Sequence, residues 1–173
     1  DDDIDIADGL TLASGGSLTL DATTGGIAGV NLTLNAADGV TLNDGLTTSG
    51  TLTVDADTDG ADNDGTFTTV AAVSAGNNAI SITANDIALG STLSSGSTTT
   101  TITDSDGTGV GLGDTAITNG LNITGAELQN ITATGCEIAT GGGVTVDNIT
   151  AANSNNLSGT TTLDATGLIT FAT

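Results

Sequence analysis

The sequence predicts an all-β fold, a single-chain parallel β-helix of about eight or nine coils, and three observations predict it. A phrase of apolar, Thr, apolar and Asp or Asn recurs: Leu18-Thr19-Leu20-Asp21-Ala22, Leu32-Thr33-Leu34-Asn35-Ala36 and Leu52-Thr53-Val54-Asp55-Ala56. Worn copies follow as Val144-Thr145-Val146-Asp147 and Thr162-Leu163-Asp164-Ala165. Such a strand cannot bury its apolar side chains alone, but it can bury them against its own copies. Apolar and polar residues alternate with a period of two, and spacings of three and four are nearly absent. Pro is missing throughout, as stacked strands that use every N–H require.

Candidate strands in chain order are 4–6, 10–12, 18–20, 30–34, 40–42, 52–54, 67–73 and 80–82. They continue through 87–89, 99–103, 110–112, 121–124, 131–133, 144–146, 161–163 and 168–171. Each precedes Gly, Asp, Asn or Ser, the turn residues. Asp8-Gly9 and Asp38-Gly39 could turn hairpins, yet both sit in the repeated phrase Ala-Asp-Gly-(Leu/Val)-Thr-Leu, which favours coil geometry. Asn130-Ile131-Thr132-Ala133 returns as Asn148-Ile149-Thr150-Ala151, so a rung takes roughly 17–22 residues with two or three short strands. At about 4.8 Å per coil the rod would be about 40 Å long. A β-sandwich is the competing arrangement. Disorder would combine high charge with low hydrophobicity, and the mean hydropathy of +0.19 meets only half of that description. The whole of 1–173 reads as one repeat array, with an acidic loop inserted at 55–65.

Composition closes several functional classes. The net charge of -21 comes from 21 acidic residues, of which only Glu127 and Glu137 are glutamate, and no Lys, Arg or His offsets it. Nucleic acid is excluded as a partner because phosphate binding needs basic side chains. An anionic membrane surface is excluded on the same ground. Without His, Lys, Arg or Tyr there is no Ser-His-Asp triad, Schiff-base lysine or arginine-stabilised oxyanion, so the chain reads as no enzyme. A carboxylate pair for glycoside hydrolysis survives on paper, but two Phe cannot line a sugar groove. No apolar run reaches transmembrane length. The start Asp1-Asp2-Asp3 is the opposite of a signal-peptide n-region, as in a mature or excised chain. Cys136 is the only cysteine and reads as a small, inert core residue.

One motif points to a cation. Asp55-Ala56-Asp57-Thr58-Asp59-Gly60 followed by Ala61-Asp62-Asn63-Asp64-Gly65 alternates carboxylates with a turn Gly, as an EF-hand-like loop does. The candidate Ca2+ ligands are Asp55, Asp57, Asp59, Asp62 and Asp64. Thr66 stands where a bidentate Glu belongs, and strands flank the loop in place of helices, so a solvated insertion is the competing reading. Asp104-Ser105-Asp106-Gly107 is a weaker echo. Thr98 to Thr101 and Thr103 read as ordinary solvent-facing strand residues. Asn-x-Thr/Ser sequons start at Asn31, Asn122, Asn130, Asn148 and Asn156, where stacked Asn side chains at turns are the more physical role.

Three stretches carry a family resemblance: Asn78 to Gly90, Val110 to Asp114, and Leu121 to Ala133. They resemble the repeat regions of filamentous haemagglutinin-type secreted bacterial exoproteins and related adhesins. The resemblance implies a right-handed β-helix shaft displayed outside the cell, with any cell-surface ligand bound by a tip outside this chain. Nothing at either terminus reads as a capping helix. The expected partners are therefore copies of the chain or neighbouring solenoid segments, met end to end.

Overall fold

The computed structural model describes residues 3–60 and 63–172. Circuits of the chain, each called a pass, lay successive strands on three faces. The first three passes are β1 (Ile4–Asp5), β2 (Thr11–Ser14) and β3 (Leu18–Leu20), then β4 (Ile27–Gly29), β5 (Leu32–Ala36) and β6 (Val40–Leu42), then β7 (Leu46–Thr48), β8 (Leu52–Asp55) and β9 (Thr66–Thr69). The fourth holds β10 (Val73–Ser74), β11 (Ile80–Ala84) and β12 (Asp86–Leu89). The fifth holds β13 (Leu93–Ser94), β14 (Thr99–Asp104), β15 (Gly109–Gly113) and β16 (Leu121–Ile123), then the helix α1 (Gly125–Asn130). The last two are β17 (Ile131–Thr132), β18 (Gly135–Thr140) and β19 (Gly143–Asp147), and then β20 (Thr161–Ala165) with β21 (Ile169–Phe171).

Every pairing among the described strands is parallel, which removes the sandwich. The second face is a seven-stranded sheet in the order β2-β5-β8-β11-β14-β18-β20, and the first face is a six-stranded sheet. The nearly all-β, parallel architecture is consistent with a β-solenoid. Seven strands in the longest sheet fall short of the eight or nine coils expected. Partners lie 22 residues apart at Thr11↔Thr33 and 20 at Leu32↔Leu52. They lie 28 apart at Leu52↔Ile80, 36 at Thr100↔Cys136 and 25 at Cys136↔Thr161. Loops between faces lengthen the passes beyond the repeated phrase.

Register explains the phrase. Leu12, Leu34, Val54, Ile82, Ile102, Ile138 and Leu163 stack in one inward row. Alternate positions form the outward row Thr11, Thr33, Thr53, Ser81, Thr101, Glu137 and Thr162. On the first face Ile4, Ile27, Leu46, Val73, Leu93 and Ile131 align, and on the third Leu18, Val40, Phe67 and Ile87. Inward residues such as Leu34, Leu42, Leu52, Phe67, Ile82 and Ile102 are fully buried. Each full burial of such a side chain contributes about 1.5–3 kcal/mol. With so few aromatics, that repetition is the core.

Two features depart from the sequence reading. Strands β4, β7 and β13 on the first face and β18 on the second fall between the candidate stretches, and 67–73 divides at a corner into β9 and β10. The first-face strands have two or three residues, too few for alternation to show, whereas β18 has six. The second departure is a detour. The third face consists of two four-stranded sheets, β12-β9-β6-β3 and β16-β15-β19-β21. β16 follows β15 in the chain, yet it packs beside β12, and the Asn122 N–H donates to Asp86 Oδ1 at 3.0 Å. The chain thus runs along β15, crosses over its outside through 114–120, and returns one position earlier. This cover leaves all five residues of β15 buried. The helix that follows is fixed by a capping box: Thr124 Oγ1 accepts from the Glu127 N–H, and Glu127 accepts from the Thr124 N–H.

Candidate functional site

The acidic loop begins where β8 leaves the sheet. Asp55 ends that strand in the outward row of Asn35 and Thr83, and its Oδ1 accepts from the Asp57 N–H at 3.3 Å. Asp57 turns inward and is almost fully buried. Its Oδ1 accepts from the Gly60 N–H at 2.9 Å, and its Oδ2 accepts from Ser105 Oγ at 2.5 Å. Gly65 closes over it, since any side chain there would collide with the Asp57 side chain. Asp59 and Asp64 are exposed, and Asp62 lies outside the described residues.

Ser105 belongs to the second acidic turn, two passes further along. The structure therefore brings together two motifs that lie far apart in the chain. The intervening pass makes this contact possible because β11 joins β12 through Asn85 alone, leaving no loop between the two turns. Asp106 and Thr108 line a shallow cleft of about 210 Å³ with Gly60 and Asn63. Asp104 faces inward beside Ala84 in the row and is buried. Its Oδ2 accepts from the Gly109 N–H at 2.9 Å and from Thr140 Oγ1 at 2.6 Å, while its Oδ1 has no hydrogen-bond partner.

Among the described residues, no group of three or more carboxylates or thiols is placed to hold a metal ion. Asp57, the centre of the calcium motif, directs both oxygens at protein donors, and its neighbours Asp59 and Asp64 face solvent. In this arrangement the motif acts as an Asx turn that staples two loops together.

Other carboxylates serve the stack. Asp86 is half-buried, and its Oδ1 accepts from Asn122 and Ile87 N–H groups. Burial is the main reason its pKa lies above the ordinary carboxylate value; those two bonds oppose the shift and the Glu127 charge adds to it. Asp21 is shifted downward, first by the bond from Asn43 and then by the Thr23 N–H. Glu127 Oε1 also accepts from the Leu89 N–H at 3.3 Å. The Cys136 thiol is buried, and desolvation, aided by Glu137, pushes its pKa to about 11.

The five sequon asparagines are structural. Asn31 donates its amide to Asp8 Oδ1, Asn130 to the Leu89 carbonyl, Asn148 to Asp114 Oδ2 and Asn156 to the Gln129 carbonyl. Asn122 closes its own loop through the Ile117 and Gly120 carbonyls. These bonds are not the ladders of stacked Asn that the sequence suggested: four of the side chains reach from pass to pass to an Asp carboxylate or a backbone carbonyl, and Asn122 bonds within its own loop. The sequence held one further signal, the Thr124-x-x-Glu127 capping box, but it lay inside a strand-like stretch and its partner Leu89 is distant in the chain.

No family model, curated protein or solved structure matches the chain. The resemblance to exoprotein repeats therefore rests on its sequence phrases alone.

Proposed function

We propose that this chain is structural material of an extracellular or cell-surface fibre, a non-catalytic right-handed parallel β-solenoid that supplies length and stiffness. One observation carries the reading: the inward row from Leu12 to Leu163 runs without interruption through all seven strands of the second face. In such an array each pass contacts mainly its neighbours, so extra passes add length and not a new site. The buried carboxylates support the same reading, since Asp57 and Asp104 bond to the stack itself, as does the partly exposed Glu127. A composition without His, Lys, Arg or Tyr supports the non-catalytic part. The uniformly acidic surface suits a soluble, extended body that repels others of its kind laterally.

Immunogold labelling of the cells that make the protein tests this. Label is expected on fibres or layers outside the cell, and label confined to the cell interior would overturn the reading.

A further inference from the structure

We propose that the third face carries a hinge at the step from β12 to β16, held shut by side chains, while the other two faces run through that point as unbroken sheets. Among the described residues the third face holds eight strands and the second face seven. From β11 to β14 on the second face is a single strand step, whereas from β12 to β15 on the third face β16 stands between. One face is thus longer than its neighbour by about 4.8 Å, and the mismatch falls at this step. The connections take it up: β11 reaches β12 through Asn85 alone, but β14 needs residues 105–108 to reach β15.

Backbone bonding marks the same step. In the ladders the N–H of an inward residue donates to a carbonyl of the following pass, as Leu18 does to Gly39 at 2.9 Å, Leu46 to Ala72 at 3.0 Å and Val144 to Leu168 at 3.0 Å. Outward residues donate to the preceding pass, as Asn43 does to Leu20 at 3.0 Å. Between β12 and β16 both kinds of donor meet side chains instead. Ile87 and Leu89, the inward pair of β12, donate to Asp86 Oδ1 at 3.0 Å and to Glu127 Oε1 at 3.3 Å. The Asn122 N–H of β16 donates to the same Asp86 Oδ1, and the Leu89 carbonyl accepts from the Asn130 amide at 2.7 Å.

Such stitches satisfy the donors without fixing the distance between the strands. A peptide ladder holds its strands about 4.8 Å apart, because donor and acceptor both belong to the backbone. Asp86 and Glu127 bond through rotatable side chains, so β12 and β16 can part while the donors stay satisfied. The two carboxylates also repel, and no Lys, Arg or His stands anywhere in the chain to neutralise them. Burial chiefly, with the Glu127 charge added, holds the Asp86 pKa above its ordinary value. A cleft of about 500 Å³ lies at the step, lined by Ala88, Leu89 and Gly90 and by Glu127 of α1 among others, so its outer side is only partly packed. On the other faces β10-β13-β17 and β11-β14-β18 pair without a break and serve as the pivot. The motion is therefore a bend in one direction that opens the third face. In a shaft it would set the direction of bending, and the hinge itself holds wherever the chain is displayed.

Spin labels on either side of the step, read by double electron–electron resonance, test the hinge. Thr41→Cys with Thr145→Cys spans it on the third face, and Thr33→Cys with Glu137→Cys spans the same passes on the second. All four positions lie in outward rows, and Cys136 is buried, so the introduced thiols take the label. The third-face distances are expected to spread more widely than the second-face ones by roughly 5 Å, one strand spacing. Glu127→Ala removes the stitch at Leu89 and should widen the third-face spread again while leaving the second face unchanged. Thr124→Ala loosens the cap of α1 but keeps that stitch, and it should change neither. Equal spreads on the two faces of the parent overturn the hinge. A Glu127→Ala variant that leaves the third face unchanged overturns it too, as does one that widens both faces alike, because the loosening is then general. Amide exchange gives a reading without any substitution. Ile87, Leu89 and Asn122 should exchange at least about tenfold faster than Val40 and Val144 in the unbroken ladders. Equal protection of all five counts against the hinge.

Discussion

Ser105 Oγ donates to Asp57 Oδ2 at 2.5 Å across a pass that contributes no loop between them. The bond joins the third pass directly to the fifth, whereas sheet pairing joins only adjacent ones. Asp57 is buried, so its second oxygen has little water to replace a lost donor.

Ser105→Ala should therefore destabilise the chain by about 1–3 kcal/mol, the cost of leaving a buried acceptor unsatisfied. Thermal melting of parent and variant measures this. A change within error would mean that solvent reaches Asp57 freely.

Calcium provides a separate test of the same turn. Because Asp57 already accepts from Gly60 and Ser105, adding calcium or a chelator is expected to leave the parent's Tm unchanged. A calcium-induced rise in Tm that disappears in Asp57→Ala/Asp59→Ala would instead make the turn a metal site.

Gly50 and Asn31 form a second coupled pair. A Cβ at Gly50 would collide with the Asn31 side-chain oxygen, which accepts from the Thr51 N–H while the amide donates to Asp8. Gly50→Ala is expected to cost about 1 kcal/mol by displacing those bonds. In an Asn31→Ala background the same change should cost nothing or stabilise slightly, because alanine restricts the unfolded chain. A double-mutant cycle with no coupling would contradict the contact.

Asp86 sets a pH dependence whose sign follows from its environment. Burial raises its pKa above 3.8, so the folded state holds that proton more tightly than the unfolded state. Its contribution is present below the unfolded value and is lost as pH rises through the folded one. Asp86→Asn keeps an acceptor for Asn122 and Ile87 and removes the charge facing Glu127. The variant should melt higher than the parent near pH 7, and the difference should vanish as pH falls below about 4. A difference that persists in acid would point to packing and not to ionisation.

Cys136 reports on unfolding. Its buried thiol, with a pKa near 11, should resist thiol reagents at about pH 8 until the chain opens. Labelling should then follow the unfolding rate. Prompt labelling of the folded chain would show that β18 opens locally.

The sequence by itself determined the local pattern. In a strand, side chains point alternately to opposite faces, so Leu32-Thr33-Leu34 declares which residues go inward and which outward. The absence of Lys, Arg and His is equally final, because no fold can create the chemistry those residues supply. Only the tertiary structure decided which strands became neighbours, since register depends on loop lengths that no local phrase encodes. It placed β16 between β12 and β15, against chain order, by folding 114–120 over the glycine-rich β15. It also changed the meaning of Asp57. In the sequence that residue is one carboxylate among five in a loop that could collect a cation. In the fold it is a buried acceptor for Ser105, because a one-residue corner at Asn85 lets two distant turns touch.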